Sequence, residues 1–573
     1  MSSRRAQFLG LLAIVALAFV LRFRGLGHQL PQWTYLDGYV ELVQTRYLRD
    51  PESVAWPDMN LGYYPYLTSA AAAALPGVPA ARGEGGAIEA VLEQSREPWV
   101  RVRLAALLLS LGAVVGAWGL ARRIVSPSFA LLAAAIVATS LVHVTFSAEQ
   151  RPHGPASGTV ALAMWALIAL RRDGGTRSQL VAALAVGLAI ATLQSSLALL
   201  LPWALAWWLR GARGSWKREL GLALVSLAIV AVCVRLAYPF HFDERSGSAG
   251  EYETGAETMW MGGHALYTER FHARGFGVML NTFAGFDPWL LGLVALSTFV
   301  WIVQRSRRGA SSDRGARADA WICLGYVAPF VVVFGLYDMT YDRFVLPLVP
   351  FFAVWVAWAC ERARAAFPQR VHGAATATLF ALVLAFPFAL AWRLGSLRQR
   401  EDTFELAARW IERNVDPQER VLLLQNIDVP VFYERESLQQ LNDSTTLWWT
   451  AFQRSLPDSA VTGPAFRIAR PPRNAEGEEA DAEFLTAKKL RAEGFRYLVA
   501  LPPRRGGVHD AETVDALKSL RKGLERAALF APAGEDERRT RTADFGFGVT
   551  ESSTMWNLLS IEAFGPRIEV FRL

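Results

Sequence analysis

Recurrent apolar runs of roughly 17 to 22 residues constrain this chain more than any other feature. They lie near 6–22, 104–121, 128–146, 155–170, 219–239, 288–303, 320–337, 344–360 and 374–394. A helix rises about 1.5 Å per residue, so each such run matches the roughly 30 Å hydrocarbon core of a bilayer. The stretch 179–209 is too long for one crossing and is interrupted by Gln194, Ser195, Ser196 and Pro202, which predicts a tight helical hairpin. The expected total is about eleven crossings. After the first run comes LRFRG, where a signal peptide would carry small residues for cleavage, so Met1 and the residues after it read as an uncleaved anchor.

Hydrophobic residues make up 52% of the 573-residue chain and charged residues 19%. That is too apolar for one soluble domain and too charged for a chain wholly in lipid. The formal charge of +7 does not point to nucleic acid, because the arginines cluster in short segments between apolar runs. They report topology instead. With the N-terminus in the cytoplasm, Arg4/Arg5, Arg122/Arg123, Arg171/Arg172/Arg177, Arg210/Arg213/Lys217/Arg218, Arg305/Arg307/Arg308/Arg314/Arg317 and Arg362/Arg364/Arg370 fall inside. The short loops on the other side, near 147–154, 194–196 and 338–343, hold only Arg151 and Arg343. Lys/Arg asymmetry of this kind sets orientation, and about eleven crossings place everything after Leu394 outside. Cys233, Cys323 and Cys360 all sit within apolar runs, which supports neither a disulfide framework nor a cysteine metal site.

The expected architecture is a polytopic α-helical membrane domain, 1–395, followed by an extracytoplasmic α/β domain, 396–573. In the second part DTFELAARWIERNV reads as an amphipathic helix, VLLLQ and FRYLVAL as buried strands, and DALKSLRKGLERAALF as another helix. The segments 474–484 and 502–512 read as solvated loops. No internal repeat is evident.

Polar groups collect in the outer loops, near 23–103, 147–154, 240–287 and 338–343. In WTYLDGYVELVQTRYL, Asp37 stands about fifteen residues beyond the first run, amid aromatics and just before a helical stretch. A partly desolvated carboxylate there suits a general base for an incoming hydroxyl or amine. It equally suits a helix N-cap.

The segments RFRGLGHQLPQWTYLDGYVELVQTRYL, NLGYYPYLTSAAAA, HVTFSAEQRPHGP, YDRFVLPLVPFFAV and DTFELAARWIERNVDPQERVLLL, in that order, resemble the GT-C class of membrane glycosyltransferases. The resemblance is to the polyprenyl-phosphate-sugar-dependent group that includes protein O-mannosyltransferases and the lipid A aminoarabinose transferase. It implies an inverting transfer of sugar from a lipid phosphate, with Asp37 as the catalytic carboxylate. The family commonly has an acidic pair, where this chain has Asp37-Gly38. It often has a phosphate-meeting Lys, where this chain has Tyr63-Tyr64-Pro65.

Beside that resemblance, Glu149 is a candidate second carboxylate, placing the acceptor or a divalent cation, and Arg151 a bidentate donor to phosphate. Tyr64, His153 and Asp342 are candidate acceptor or sugar contacts. Arg343 matches the family's Arg before an aromatic-Leu-Pro run, where it would meet the lipid phosphate; a snorkelling anchor is the plainer reading. His241, Asp243, Glu244, His264 and His272 suggest metal by type, but their spacing matches no compact ligand set, so the metal stays unknown. Trp33, Trp56 and Trp260 suit sugar stacking or an interfacial belt.

The expected activity is transfer of one sugar from a polyprenyl-phosphate donor to a lipid, glycan or protein acceptor at the outer face of a bacterial inner or plasma membrane. Membrane lipid is a partner and nucleic acid is not. A transporter would place ionisable groups in mid-span, whereas Arg235 is the chief one here. A non-catalytic envelope-assembly protein would instead work through 396–573 and leave Asp37 dispensable.

Overall fold

The computed structural model describes residues 3–30, 36–53, 64–77, 87–210, 214–240, 258–261, 264–267, 269–308, 314–424, 427–441, 448–456, 463–471, 484–502, 511–534 and 553–573. Two compact units divide the chain: Met1–Leu26, Tyr35–Gly77 and Arg101–Gly395 form the first, and Gly27–Thr34, Val78–Val100 and Ser396–Leu573 the second.

The first unit is helical. Its helices are α1 (Ser3–Phe23), α2 (Leu36–Arg49), α3 (Leu67–Ala74), the C-terminal part of α4 (Ala87–Ser110), α5 (Gly112–Ala121), α6 (Pro127–Thr139), α7 (Leu141–Phe146), α8 (His153–Asp173), α9 (Thr176–Ile190), α10 (Leu200–Leu209), α11 (Trp216–Ala237), α12 (Arg274–Phe286), α13 (Pro288–Arg308), α14 (Arg314–Leu336), α15 (Val349–Ala365) and α16 (His372–Leu397). One hairpin, β1 (Thr258–Met261) with β2 (His264–Tyr267), interrupts them.

Seven helical stretches among the described residues are long and apolar enough to cross a membrane, and eight if the bent pair α12 and α13 counts as one. This makes a multi-pass membrane protein, but the expectation of about eleven exceeds the count by three. The difference has a local cause. The run 128–146 is cut at Ser140, whose ψ of 119° ends the 13-residue α6 and begins the six-residue α7. The expected hairpin over 179–209 is helix of 15 residues, a 3₁₀ turn at Gln194–Leu199, then helix of 10 residues. At about 1.5 Å per residue none of these pieces spans the core alone.

Helix contact is closest where side chains are smallest. Gly112 and Gly116 of α5 meet Gly158 and Ala161 of α8, and a Cβ on Gly116 would stand 2.6 Å from the Ala161 Cβ. Small residues four apart let two backbones approach, which is how helices associate where no water drives them together. The far end of α8 is held by Arg171 and Arg172 on the Asp319 carboxylate of α14, at 2.6 and 2.5 Å.

The second unit contains a six-stranded sheet of β3 (Arg420–Leu423), β4 (Phe432–Tyr433), β5 (Ala465–Ala469), β6 (Phe495–Ala500), β7 (Glu525–Phe530) and β8 (Ile568–Arg572). The order is β4-β5-β3-β6-β8-β7, parallel from β4 to β6 and antiparallel on both sides of β8. Alternation along the strands fills two cores. Val421, Leu423, Val499 and Val570 pack with Phe404, Ala407 and Ile411 of α17 (Thr403–Asn414), while Leu422, Leu498 and Phe571 pack with Leu490, Leu517 and Leu520. Leu490 lies in the helix Ala487–Ala492, and Leu517 and Leu520 lie in Ala511–Lys522. The sheet is therefore covered on both faces, as near-continuous apolar strands require.

The helix and the two strands expected here are present. The segment DALKSLRKGLERAALF is only half helix: Gly523 follows the helix end at Lys522, and ERAALF is β7. The solvated loops expected at 474–484 and 502–512 lie almost wholly outside the described residues. Residues 27–34 and 78–100 add to this unit: Gln29 donates to the Asp402 carboxylate, and Arg96 Nε donates 2.8 Å to the Leu30 carbonyl.

Candidate functional site

Helix α2 carries the first polar elements of the site. It begins at Leu36, so Asp37 falls at its second residue, in the first turn, where the helix dipole favours a carboxylate. The Asp37 side chain itself lies outside the described residues, as do Trp33, Trp56, His241, Asp243, Glu244 and the side chains of Trp260 and His264. One turn after Asp37 stands Glu41, followed by Gln44 and Thr45, all buried. Gln44 Nε2 donates 2.7 Å to the Tyr64 carbonyl, and Ser69 Oγ donates 2.7 Å to Gln44 Oε1. Thr45 Oγ1 donates 2.6 Å to the Glu41 carbonyl. These bonds fix α2 on α3 and carry buried Tyr64 into the same group.

Glu41 was not among the expected site residues, and it differs from its neighbours. It is fully enclosed, and neither carboxyl oxygen has a hydrogen-bond partner among the described residues. Burial pushes its carboxyl up to about 8, opposed by the Arg151 guanidinium. A sequence signal existed: Asp37 and Glu41 are four apart, the spacing that puts two side chains on one helix face.

Arg151 comes from the turn between α7 and α8. The turn is pinned from both sides. Asp287, at the break between α12 and α13, accepts from Leu141 N at 2.9 Å, Val142 N at 3.0 Å and Ser140 Oγ at 2.7 Å, satisfying donors that the start of α7 leaves open. Arg22, at the end of α1, donates to the Ala18, Val137 and Ala138 carbonyls and meets His143 Nδ1 at 2.9 Å; His143 Nε2 meets Ser157 Oγ at 2.8 Å. The buried Asp287, Arg22 and His143 also escaped the sequence reading.

On this base Glu149, Arg151 and His153 are all buried, and Arg151 Nη1 stands 3.5 Å from Glu149 Oε2. His153 opens α8 and stacks on Phe344, with centroids 5.0 Å apart and planes 14° apart. Phe344 belongs to the 3₁₀ turn Asp342–Leu348, whose Pro347 suits a tight turn before α15. In the same turn Asp342 Oδ1 accepts from Thr282 Oγ1 at 2.8 Å, and the Arg343 guanidinium lies 4.5 Å over Tyr341 and 5.6 Å from the Phe344 ring. One ring thus joins the loop of His153 to that of Arg343.

His272, a metal candidate by type, and Arg235 are used elsewhere. Asp338 Oδ2 meets His272 Nδ1 at 2.7 Å, and Asp338 Oδ1 accepts from the backbone of His272 and Arg274. Burial raises the Asp338 carboxyl, but those bonds outweigh it and leave it below its ordinary value. Arg235 bonds the Pro239 carbonyl. Among the described residues no three His, Cys, Asp or Glu side chains gather in a way that could hold a metal ion.

No curated protein sequence matches the chain. Among solved structures, ArnT from Cupriavidus metallidurans in the apo state is 14% identical, over 92% of this chain and 96% of its own, with a TM-score of 0.42. The oligosaccharyltransferase AglB from Archaeoglobus fulgidus, with an inhibitory peptide and a dolichol-phosphate, is 12% identical over 97% and 78%, TM-score 0.45. The arabinofuranosyltransferase AftD from Mycobacteria is 16% identical over 100% and 40%, TM-score 0.39. The resemblance read from the loop segments is met by a family model: residues 90–238 match the dolichyl-phosphate-mannose-protein mannosyltransferases.

Proposed function

We propose that the protein is an inverting glycosyltransferase that moves one sugar from a polyprenyl-phosphate donor to a lipid, glycan or protein acceptor at the extracytoplasmic membrane face. The observation that carries this reading is the gathering of polar loops: α2 with Glu41, the turn with Glu149 and Arg151, and the turn with Asp342 and Arg343. The family match over 90–238 includes the second of these.

In this reading Arg151 and Arg343 bind the lipid phosphate, and Asp37 takes the proton of the acceptor hydroxyl or amine. The acceptor atom bonds to the anomeric carbon from the side opposite the phosphate, and the bond from that carbon to the phosphate oxygen breaks with inversion. Guanidinium groups stabilise the charge that grows on the leaving phosphate. Glu149 holds Arg151 in place, and Tyr64, His153 and Asp342 are sugar or acceptor contacts. Every step is assigned to side chains of this chain.

The test offers membranes containing the protein a panel of polyprenyl-phosphate sugars and measures release of prenyl phosphate, with Asp37→Asn as control. Release by wild type and its loss in the variant is the expected result. No release with any donor would defeat the reading and return the envelope-assembly alternative.

A further inference from the structure

A buried polar group without a partner demands a reason, because enclosing it costs free energy that a partner would return. Glu41 is such a group. It contributes nothing to holding α2, a task done by Gln44 and Thr45 through bonds to the Tyr64 carbonyl, Ser69 and the helix backbone. Its charged neighbour is Arg151. A carboxyl that stays protonated at neutral pH offers one O–H donor, and phosphate oxygens are strong acceptors.

We propose that Glu41 is the hydrogen-bond donor to the phosphate of a bound polyprenyl phosphate, acting beside Arg151. This rests on the transferase reading for its rate consequences, though not for binding. Phosphate on Arg151 offsets the positive charge that favours the Glu41 carboxylate, so Glu41 keeps its proton. In the transfer the acceptor's proton goes to Asp37 and its lone pair forms the new bond to the anomeric carbon. The electrons of the breaking bond stay on the phosphate oxygen, where the hydrogen bond from the Glu41 O–H strengthens as charge builds. Asp37 then gives its proton to water, which closes the cycle.

Charged and titratable residues lie on α2 itself, on the elements that contact it and on the turn of Arg151. On α2 they are Asp37, Tyr39, Arg46, Tyr47 and Arg49, and the 3₁₀ turn Pro51–Ser53 adds exposed Glu52. Helix α3 has the sequence LTSAAAAA, with no titratable side chain. Tyr64 and Tyr66 precede it, the turn before α8 adds Glu149 and Arg151, and α8 opens with His153. All are retained when Glu41 alone is changed, so a difference between wild type and Glu41→Gln belongs to Glu41.

The experiment measures the Kd of purified full-length protein for polyprenyl phosphate between pH 7 and 9. With Glu41 near 8, loss of its proton weakens wild-type binding about tenfold over that interval, and Glu41→Gln binds with little change. The second ionisation of a phosphate monoester, near about pH 6, lies below this window and is common to both proteins. A wild-type Kd that does not rise, an equal rise in Glu41→Gln, or no binding at any pH overturns the proposal, and the first of these needs no variant. In the release assay Glu41→Ala, which leaves the phosphate oxygen without this donor, should slow turnover about tenfold; unchanged turnover would remove Glu41 from the phosphate site. Prenyl-phosphate release that persists with pH-independent binding would spare the transferase reading and reject this one. The reverse outcome, pH-dependent binding with no release from any donor, would do the opposite.

Discussion

Replacing Asp37 by Asn removes one negative charge and barely alters the shape of the side chain. At the second residue of α2, a structural carboxylate would contribute only through the helix dipole, about 0.3–1 kcal/mol. As the base for the acceptor, its loss should slow transfer by roughly 10²- to 10⁴-fold with the protein still folded. Prenyl-phosphate release by a stable variant decides between them, and near-normal release would move the base to Glu149. Arg343 poses a different question. Its guanidinium already lies over Tyr341, a contact that a lysine ammonium would make less well and without the planar fork. Arg343→Lys should weaken binding of polyprenyl phosphate about tenfold, the loss of one charge-assisted contact, while expression is unchanged. Equal affinity in the two proteins would return Arg343 to the role of an anchor. At this scale the sequence was informative where a polar residue interrupts an apolar context, as at Glu149, Arg151 and Arg343. At Glu41 it offered only the four-residue spacing from Asp37, and at Asp287 nothing, since a lone acid near a helix or beside a proline looks solvated until tertiary packing encloses it.

Elements were read best where period and capping agreed. Helix α17 has an amphipathic pattern and a reciprocal cap: Asp402 accepts from Phe404 N and Glu405 N, both at 2.9 Å, and Glu405 reaches back to Asp402 N at 3.2 Å. The same cap titrates. Burial and the nearby Glu405 carboxylate push Asp402 up to about 7, against the bonds from Glu405 N, Gln29 and Phe404 N. Because the folded value lies above the unfolded one of about 3.9, the stabilising contribution is complete below about pH 4 and is lost as pH rises through 7. Urea resistance of the C-terminal unit, followed by hydrogen exchange in α17, should therefore fall between pH 5 and 8. Asp402→Asn keeps the cap and should flatten that slope; Asp402→Ala should flatten it too and in addition cost about 1 kcal/mol for the lost cap. An unaltered slope in Asp402→Asn would assign the titration to another group. Elements were misread where apolar length was taken as helix length. Ser140 ends α6 inside an apolar run because Asp287, 147 positions away in the chain, supplies the acceptors for a new helix start. No local pattern contains that information.

For the whole molecule, orientation follows from where arginines lie, and the rule counts Lys and Arg rather than net charge. That distinction matters here. Arg171 and Arg172 are paired with Asp319, and Arg210 with Glu219, so part of the basic charge of those loops is neutralised while their Lys and Arg count is unchanged. The proposed arrangement keeps the N-terminus in the cytoplasm and takes the broken stretches 127–146 and 176–209 as crossings made in pieces. It puts the turns of Arg151 and Arg343 outside, on the side where the donor phosphate would be met, and residues 396–573 with them. Parity makes this sensitive to the three short stretches, because eight crossings in place of eleven would return the C-terminal unit to the cytoplasm. Compartment reporters fused after Arg218 and after Leu573 separate the cases: the first should report cytoplasm and the second the exterior. The first reporting exterior and the second cytoplasm would show that an odd number of the broken stretches, all of which precede Arg218, stays on one side, and would return the α/β unit to the cytoplasm.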